Sequence, residues 1–336
     1  MNNKKVLMDI SWSNKGGIGR FTDEISKLLC DISKEELYRK CASPLAPLGL
    51  AVNIFLRKKT DVVFLPGYIP PLFCSKKFII TIHDLNHLDL NDNSSLFKRL
   101  FYNFIIKRGC RKAYKIFTVS NFSKERIVAW SGVNPNKIVT VYNGVSSLFN
   151  ADVKPLNLGY KYLLCVGNRK THKNEKCVIS AFAKADIDPA IKLVFTGNPC
   201  NDLEKLIIQH GLSERVKFFG FVSEKDLPSL YKGSLGLVFP SLYEGFGLPV
   251  VESMACGIPV LTSLTSSLPE VAGDAAILVD PLSEDAITKG ISRLINDSEL
   301  RKHLIQKGLW RAKRFNWQNV VSEIEMVLTE ACDGNK

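Results

Sequence analysis

Residues 240–259 read PSLYEGFGLPVVESMACGIP and decide the fold of the second half of the chain. The apolar run 235–239 before them predicts a buried strand ending at Pro240, and the glycines that follow predict a loop. Pro249 suits the first turn of a helix, and Gly257 suits its end. Because the first amides of a helix have no partner within it, and glycines let the backbone approach an anion, this strand-loop-helix unit predicts a phosphate site.

Short apolar runs alternate with helical periodicity along nearly the whole chain, which predicts α/β units with parallel sheets. A length of 336 residues favours two domains. The glycine- and asparagine-rich stretch 144–159 predicts the boundary, giving a first domain of residues 1–150 and a second of 151–316, followed by an amphipathic helix at 317–331. The strands are predicted at 6–10, 61–65, 78–82, 115–119 and 138–141, and then at 162–166, 191–196, 216–219, 235–239, 259–262 and 276–279.

The net charge of +12 is unevenly distributed. Residues 1–150 hold 23 Lys and Arg against 11 Asp and Glu, whereas residues 151–336 hold 22 of each. The whole excess therefore lies in the first half, which predicts an anionic partner there, either phosphate-bearing lipid headgroups or nucleic acid.

Cysteine spacing and hydropathy restrict the possible locations of the protein. The nine cysteines are scattered without a Cys-x-x-Cys pair, which argues against a disulfide framework and a zinc cluster. No apolar run approaches the roughly 18 to 20 residues that a membrane span needs, and no secretory signal region opens the chain. We expect a cytoplasmic protein with at most a peripheral place on the inner membrane face.

Two glutamates flank the predicted phosphate site. Glu244 precedes the helix and Glu252, eight positions later, lies inside it. Carboxylates accept hydrogen bonds from sugar hydroxyls, so such a pair could hold two sugars on either side of a diphosphate. The alternative for Glu252 is simple complementation of the helix dipole.

The segment EGFGLPVVE resembles the hallmark of the retaining glycosyltransferases of family 4, and the resemblance extends over nearly the whole chain. It implies the GT-B fold, in which two Rossmann-like doubly wound domains face a cleft and the last helix crosses back to the first domain. It also implies that Glu244 contacts the donor sugar and Glu252 the ribose. The amides of Phe246, Gly247 and Leu248 would then face the sugar and phosphates.

A basic loop follows the first predicted strand of the second half, in LLCVGNRKTHKN, residues 163–174. Its cations could neutralise a leaving diphosphate, or could simply be solvated. The resemblance assigns Arg169 and Lys173 to the diphosphate. We expect Lys170 and His172 to be exposed.

The first half offers two further candidates at strand ends. The Gly16-Gly17 loop follows a strand, but Thr22 breaks the dinucleotide pattern, and the resemblance instead implies donor-phosphate and acceptor contacts for both glycines. His83 ends another strand, where it could be a base, a hydrogen-bonding group or a structural residue. The resemblance places His83 beside the donor sugar, and in the second half it places Val222, in the loop 219–223, beside the nucleotide base.

The segment Asp186-Ile187-Asp188 is the candidate metal site in the sequence, because it matches the metal-binding Asp-x-Asp pattern of other glycosyltransferases. It lies before a strand, whereas ligands bind at the carboxyl ends of parallel strands. We therefore expect no catalytic metal, and no cofactor beyond the nucleotide-sugar substrate.

The segment 97–115 combines aromatic and basic residues. Phe97, Leu100, Phe101, Phe104 and Ile105 follow helical spacing, with seven Lys and Arg around them. A core-packed helix with a solvated basic face is one interpretation, and a peripheral site for anionic lipid is the other. Nucleic acid is disfavoured because no recognition motif accompanies the charge.

The basic loop 168–174 and the segment SLPE at 267–270 resemble those of bacterial mannosyl- and rhamnosyltransferases of surface polysaccharides such as O-antigen. The prediction is transfer of mannose from GDP-mannose to a lipid-linked saccharide, with retention. A rhamnosyl- or glucosyltransferase using a dTDP- or UDP-sugar is the alternative. A nucleotide-sugar 2-epimerase and a non-catalytic binding protein are weaker ones.

Overall fold

The computed structural model describes residues 5–38, 43–90 and 95–333. The chain forms two compact units, one made of Met1–Gly144 with Trp317–Lys336 and the other of Val145–Asn316. Each unit contains one six-stranded sheet in which all pairs of strands are parallel. Parallel sheets need helices on both faces, and each sheet has them. The predicted doubly wound α/β architecture is therefore confirmed.

The sheet of the first unit has the strand order β2-β1-β3-β4-β5-β6. Its strands are β1 (Val6–Asp9), β2 (Ser33–Glu35), β3 (Val62–Leu65), β4 (Lys77–Thr81), β5 (Lys115–Thr118) and β6 (Ile138–Thr140). Five of them lie where apolar runs predicted them. The prediction missed β2, an edge strand whose Ser-Lys-Glu sequence is polar and largely exposed, so that no apolar pattern marks it.

Helices cover both faces of this sheet: α1 (Gly16–Leu28), α2 (Ala46–Leu56), α3 (Asn86–Asp89), α4 (Leu96–Phe101), α5 (Lys107–Lys112), α6 (Asn121–Ser131) and the last helix, α14 (Trp317–Asp333). Trp317, Ile324 and Ala331 of α14 are buried in the core cluster that contains Val6 and Phe21. The last helix thus returns to the first unit, as the GT-B resemblance implied.

The segment 97–115 is helical almost throughout, because a π-helical turn over Tyr102–Ile106 joins α4 to α5. The buried side chains differ from the apolar face predicted by spacing. Tyr102 and Ile106 enter the core, whereas Phe97 and Phe104 are 84% and 68% exposed. The core-packed interpretation of the aromatic face is therefore wrong for those two residues, because Tyr102 and Ile106 supply the buried face of this run instead.

The sheet of the second unit has the order β12-β11-β10-β7-β8-β9. Its strands are β7 (Tyr162–Cys165), β8 (Lys192–Phe195), β9 (Val216–Phe218), β10 (Gly236–Phe239), β11 (Val260–Ser263) and β12 (Ala276–Val279). All six lie at predicted positions, with ends that differ by a residue or two. The central strands β7, β10 and β11 are buried along their whole length, which explains the continuous apolar runs of β7 and β10. Strand β11 ends in Thr262 and Ser263, whose buried hydroxyls donate to main-chain carbonyls.

The helices of this unit are α7 (Glu175–Lys184), α8 (Asn201–Gln209), α9 (Leu227–Gly233), α10 (Leu248–Ala255), α11 (Leu268–Ala272), α12 (Glu284–Asn296) and α13 (Ser298–Ala312). Strands β7 and β10 are neighbours, so the loops at their carboxyl ends emerge side by side. These two loops are the basic loop before α7 and the glycine-bearing loop before α10.

None of the described cysteines forms a disulfide, and Cys41 lies outside the described residues. Within the described part of the chain, no helix combines the length and the apolarity that crossing a bilayer requires.

Candidate active site

The loop between β10 and α10 places the first turn of α10 at the carboxyl edge of the sheet. Gly247 is the residue before the helix and has φ +101°, a conformation that L-residues rarely adopt. A Cβ there would also lie 2.6 Å from Leu268 Cδ2. Phe246 is buried, with its ring edge-on to Phe315 at 5.3 Å. The side chain of Phe246 thus anchors the loop, which leaves its main chain to form the helix entrance.

Glu244 and Lys173 form an ion pair between the two neighbouring loops. Lys173 Nζ lies 2.7 Å from Glu244 Oε1, and the two side chains are only 14% and 13% exposed. Ser241 Oγ donates to the same carboxylate oxygen at 2.6 Å. The Lys173 ammonium also lies 4.8 Å from the centre of the Phe239 ring. The structure thus brings together two of the predicted catalytic residues, Lys173 and Glu244. The hydrogen bond from Ser241, a residue that the sequence did not mark, holds the carboxylate of Glu244 in place.

The basic loop is held by its main chain. Residues Thr171–Lys173 form a 3-10 turn, and Asn174 after it has φ +60°. The carbonyl oxygen of His172 accepts a hydrogen bond from the Leu242 amide at 2.7 Å and lies 2.8 Å from Ser241 Oγ, whose one proton is directed to Glu244. His172 is buried, so the expectation that it is exposed was wrong, because the turn folds under the α10 loop instead of projecting into solvent. Burial lowers the pKa of its imidazole.

Arg169 takes a different place from Lys173. Its Nη2 pairs with Glu175 Oε1 at 3.0 Å and donates to the Thr196 carbonyl at 2.6 Å, with the side chain 16% exposed. The guanidinium stacks near two aromatic rings, with its central carbon 5.3 Å from Phe195 and 5.4 Å from Phe218. Burial raises the pKa of the partner Glu175. Arg169 therefore serves as an anchor of the loop, and its contact with a diphosphate stays a prediction.

Glu252 is 3% exposed and lies in α10. Its Oε2 accepts a hydrogen bond from the hydroxyl of Tyr231 in α9 at 2.9 Å. A buried carboxylate needs such donors, and the distance is within the ordinary range for a hydroxyl donor. No signal in the sequence marked Tyr231, because a tyrosine on a short helix is usually a core residue, and Tyr231 is indeed fully buried.

Val222 lies in the loop after β9, among more exposed neighbours. Its own side chain is partly buried, while the ring of Phe221 is 90% exposed. Gly197 and Gly220 form an isolated bridge that ties this loop to the one after β8. The contact of Val222 with a base stays a prediction.

The two glycines of the first unit that were predicted to contact ligands, Gly16 and Gly17, lie at the start of α1. Gly16 has φ +63°, and a Cβ at Gly16 or Gly17 would meet no atom within 4 Å. Gly19 is the sterically required glycine of this loop, because a Cβ there would lie 2.8 Å from the carbonyl oxygen of Trp12. The open space at Gly16 and Gly17 suits the approach of a ligand to their main chain.

His83 follows β4 in the first unit. Its Nε2 lies 3.0 Å from the carbonyl oxygen of Pro66, and its ring is perpendicular to Phe21 at 4.9 Å. Because the acceptor is a carbonyl, Nε2 carries the proton and donates. Burial lowers the pKa of His83 to about 4, so the ring is neutral at pH 7. It is thus placed as a hydrogen-bonding group, and not as a cation.

The two aspartates of the Asp-x-Asp segment lie between α7 and β8, at the amino end of that strand. Both are exposed, and Asp188 Oδ1 accepts from the Ala190 amide at 2.9 Å. They therefore lie at the opposite edge of the sheet from Glu244 and Lys173. The described residues contain no cluster of three or more His, Cys, Asp or Glu side chains able to hold a metal ion.

Two family models match the chain in succession. "Glycosyltransferase Family 4" matches residues 32–147, and "Glycosyl transferases group 1" matches residues 148–310. The chain belongs to the family 4 glycosyltransferases. The predicted resemblance is thus confirmed, and the ion pair of Glu244 and Lys173 lies in the group 1 half.

Relatives of this glycosyltransferase include enzymes of surface-polysaccharide synthesis. It is 29% identical over 262 residues to "O-antigen chain mannosyltransferase B" of Escherichia coli, covering 74% of this chain and 69% of that one. It is also 29% identical over 217 residues to "O-antigen chain mannosyltransferase RfbU" of Salmonella typhimurium, covering 64% of this chain and 60% of the relative.

Solved structures confirm the GT-B fold of this glycosyltransferase. A glycosyltransferase from Rickettsia africae superposes with a TM-score of 0.77 at 19% identity, covering 98% of this chain and 99% of the other. Anabaena Alr3699/HepE, solved with UDP and glucose, superposes with a TM-score of 0.76 at 18% identity, covering 97% and 99% of the two chains.

Proposed function

We propose that this glycosyltransferase moves mannose from GDP-mannose to a lipid-linked saccharide in the synthesis of a surface polysaccharide, with retention at the anomeric carbon. The observation that carries the proposal is the buried pair of Glu244 and Lys173 at the entrance to α10. The names of the E. coli and Salmonella relatives support mannose as the sugar and a growing polysaccharide chain as the acceptor.

The charges of the second unit suit a nucleoside diphosphate-sugar. The first turn of α10 offers main-chain amides and the positive end of the helix dipole to the phosphates. Lys173 adds a cation at the same edge, and Glu244 accepts hydrogen bonds from sugar hydroxyls. Glu252, held by Tyr231, accepts from the ribose. Binding of the diphosphate by Lys173 would draw its ammonium partly away from Glu244, which releases the carboxylate for the sugar.

The chemical step breaks the bond between the anomeric carbon and the β-phosphate oxygen, and forms a bond to an acceptor hydroxyl on the same face. The proton of that hydroxyl passes to the leaving phosphate oxygen. Negative charge therefore develops on the diphosphate, where Lys173 and the amides of Gly247 and Leu248 stabilise it. Donors of this kind contribute about 2.7 to 4 kcal/mol each when they face developing charge. No residue needs to act as a covalent nucleophile in this scheme.

The first unit would bind the acceptor, and its charge suits an anionic membrane surface. Residues 1–144 and 317–336 together hold 24 Lys and Arg against 15 Asp and Glu, a net charge of +9. The acidic residues of the last helix thus offset only part of the basic excess. Polybasic faces are attracted to anionic lipids by about 1 kcal/mol per cation near the surface.

The test is transfer by the purified protein, with GDP-mannose, UDP-glucose and dTDP-rhamnose offered separately together with a saccharide acceptor. We expect a product one hexose heavier from GDP-mannose, with the anomeric configuration of the donor by proton NMR. Transfer from UDP-glucose or dTDP-rhamnose instead would replace mannose by the sugar observed. A product of inverted configuration would overturn retention, and no product with any donor would overturn the proposal.

A further inference from the structure

An apolar cavity of about 500 Å³ lies in the first unit. Its walls come from the segment after β3, with Tyr68 and Ile69, and from the helical run 96–106, with Phe97, Leu100 and Phe104. A volume of this size is that of a small-ligand site. No role in donor binding has been assigned to any of these residues.

The rim of the cavity is unusually apolar for a protein surface. Phe97 is 84% exposed, Phe104 is 68% exposed, and the neighbouring Leu96 is 71% exposed. Contiguous exposed apolar side chains of this size mark sites for apolar ligands, proteins or membranes.

Charge distinguishes among those occupants. Residues 96–115 contain seven Lys and Arg and no Asp or Glu. Lys98 lines the cavity itself, and Arg108, Arg111 and Lys112 are exposed on the continuation of the same helical run. The Arg108 guanidinium donates to the Leu72 carbonyl at 2.6 Å, which fixes it on the side of the segment that forms the other wall. An apolar cavity beside a purely basic helix complements a hydrocarbon chain that ends in an anionic group.

We propose that this cavity binds the hydrocarbon chain of a phosphate-bearing lipid, with Lys98 on its phosphate and the other basic side chains of residues 96–112 adding to the positive potential around it. In the context of the proposed function, that lipid is the carrier of the saccharide acceptor. The cavity then holds the acceptor by its lipid end, which leaves the saccharide outside the cavity. An amphipathic peptide helix is the competing occupant, and the test separates the two.

The first experiment is a titration with single-chain alkyl monophosphates of increasing length, below their micellar concentrations. Two tryptophans report on the cavity, because Trp130 lies 6.1 Å from the Tyr102 ring and Trp12 lies 5.5 Å from the Tyr68 ring. A brominated chain that enters should quench their fluorescence. Each buried methylene should strengthen binding about fourfold, since it contributes about 0.8 kcal/mol. The gain should stop when the chain fills the cavity.

A plateau with chain length is the sharp expectation, because partition onto an open surface would continue to strengthen with every methylene. An affinity that keeps rising with chain length would therefore contradict binding in the cavity. Equal affinity for an alkyl alcohol of the same length, which lacks the phosphate, would also contradict the proposal. Absence of fluorescence quenching at every chain length would overturn the lipid proposal and would favour the amphipathic peptide helix as the occupant.

Two matched variants locate the site. Leu100→Asp places a charge in the cavity, and Leu48→Asp places the same charge on α2, outside the cavity lining; the two leucines are 44% and 46% exposed. We expect Leu100→Asp to weaken alkyl phosphate binding at least tenfold and Leu48→Asp less than twofold. Equal weakening in both variants would contradict the assignment.

Transfer assays separate this inference from the proposed function. In Leu100→Asp the KM for a lipid-linked acceptor should rise at least tenfold, while the KM for a short water-soluble acceptor stays within twofold. If both acceptors are affected equally, the lipid role is wrong. If the wild type transfers to neither acceptor but the alkyl phosphates bind with a plateau, the proposed function fails and the lipid site stands.

Discussion

Removal of the Lys173 ammonium tests the donor site, because it leaves the largely buried Glu244 carboxyl group without its ion-pair partner. The substitution Lys173→Ala takes away both the cation expected on the diphosphate and the partner at 2.7 Å. Ser241 still donates to the same carboxylate oxygen, so the loop keeps one of its contacts. We expect a loss of stability and a loss of transfer, which arise from different causes.

The size of the stability loss follows from the burial of the pair. At 2.7 Å and an effective dielectric constant of about 20, the attraction is roughly 6 kcal/mol before desolvation is counted. Loss of one partner of a buried pair costs about 3 to 5 kcal/mol. Because both side chains retain 13 to 14% exposure, we expect the low end, about 3 kcal/mol. For a unit of this size, that lowers the midpoint of thermal unfolding by roughly 6 to 12 °C.

A double variant separates the two causes. In Lys173→Ala/Glu244→Gln the orphaned charge is gone, so most of the stability should return, while transfer should stay 10²- to 10³-fold below the wild type because the cation is still missing. Calorimetry measures the first quantity and release of nucleoside diphosphate measures the second. Near-normal transfer by either variant would refute the role of Lys173, and a double variant no more stable than Lys173→Ala would refute the buried charge as the cause.

Three further predictions concern single residues. Burial lowers the pKa of His83 from 6.5 to about 4, so its protonation opposes folding. As the pH falls from about 6.5 to about 4, the stability of His83→Gln should therefore rise relative to that of the wild type, by up to about 3 kcal/mol in urea unfolding. A difference in stability that does not change with pH would contradict this. Gly247→Ala should destabilise the protein more than Gly159→Ala does. Both glycines have positive φ, but only a Cβ at position 247 would meet a leucine side chain, at 2.6 Å. Equal losses of stability in the two variants, measured by calorimetry, would show that this contact relaxes. Tyr231→Phe removes the donor 2.9 Å from Glu252 and should raise the KM for the donor sugar about tenfold with a smaller change in kcat, whereas an unchanged KM would make Tyr231 purely structural.

The sheets could be predicted from the sequence because buried parallel strands are continuous apolar runs. Strands β7 and β10 follow this rule, and β11, whose sequence VLTS ends in two hydroxyl residues, differs from its prediction by one residue at each end. The edge strand β2 fails the rule, since its polar residues gain their order from pairing with β1 and carry no pattern of their own.

The candidate site was only partly predictable, because spacing along the chain says which loops meet but not which side chains pair. The order of strands places the basic loop beside the α10 loop, so the encounter of Lys173 with Glu244 could be anticipated. The burial of His172 could not, because it depends on the hydrogen bond that its main-chain carbonyl accepts from the Leu242 amide. The role of Tyr231 could not either, since its hydroxyl finds Glu252 only in the folded unit.

A crystal structure of the protein with GDP or GDP-mannose would locate the diphosphate relative to α10 and so decide whether Lys173 and Glu244 belong to the donor site. We expect phosphate oxygens within hydrogen-bond distance of the Gly247 and Leu248 amides and of Lys173 Nζ, with a lengthened distance between Lys173 and Glu244. A diphosphate bound elsewhere in the protein, with the ion pair of Lys173 and Glu244 unchanged, would contradict this expectation.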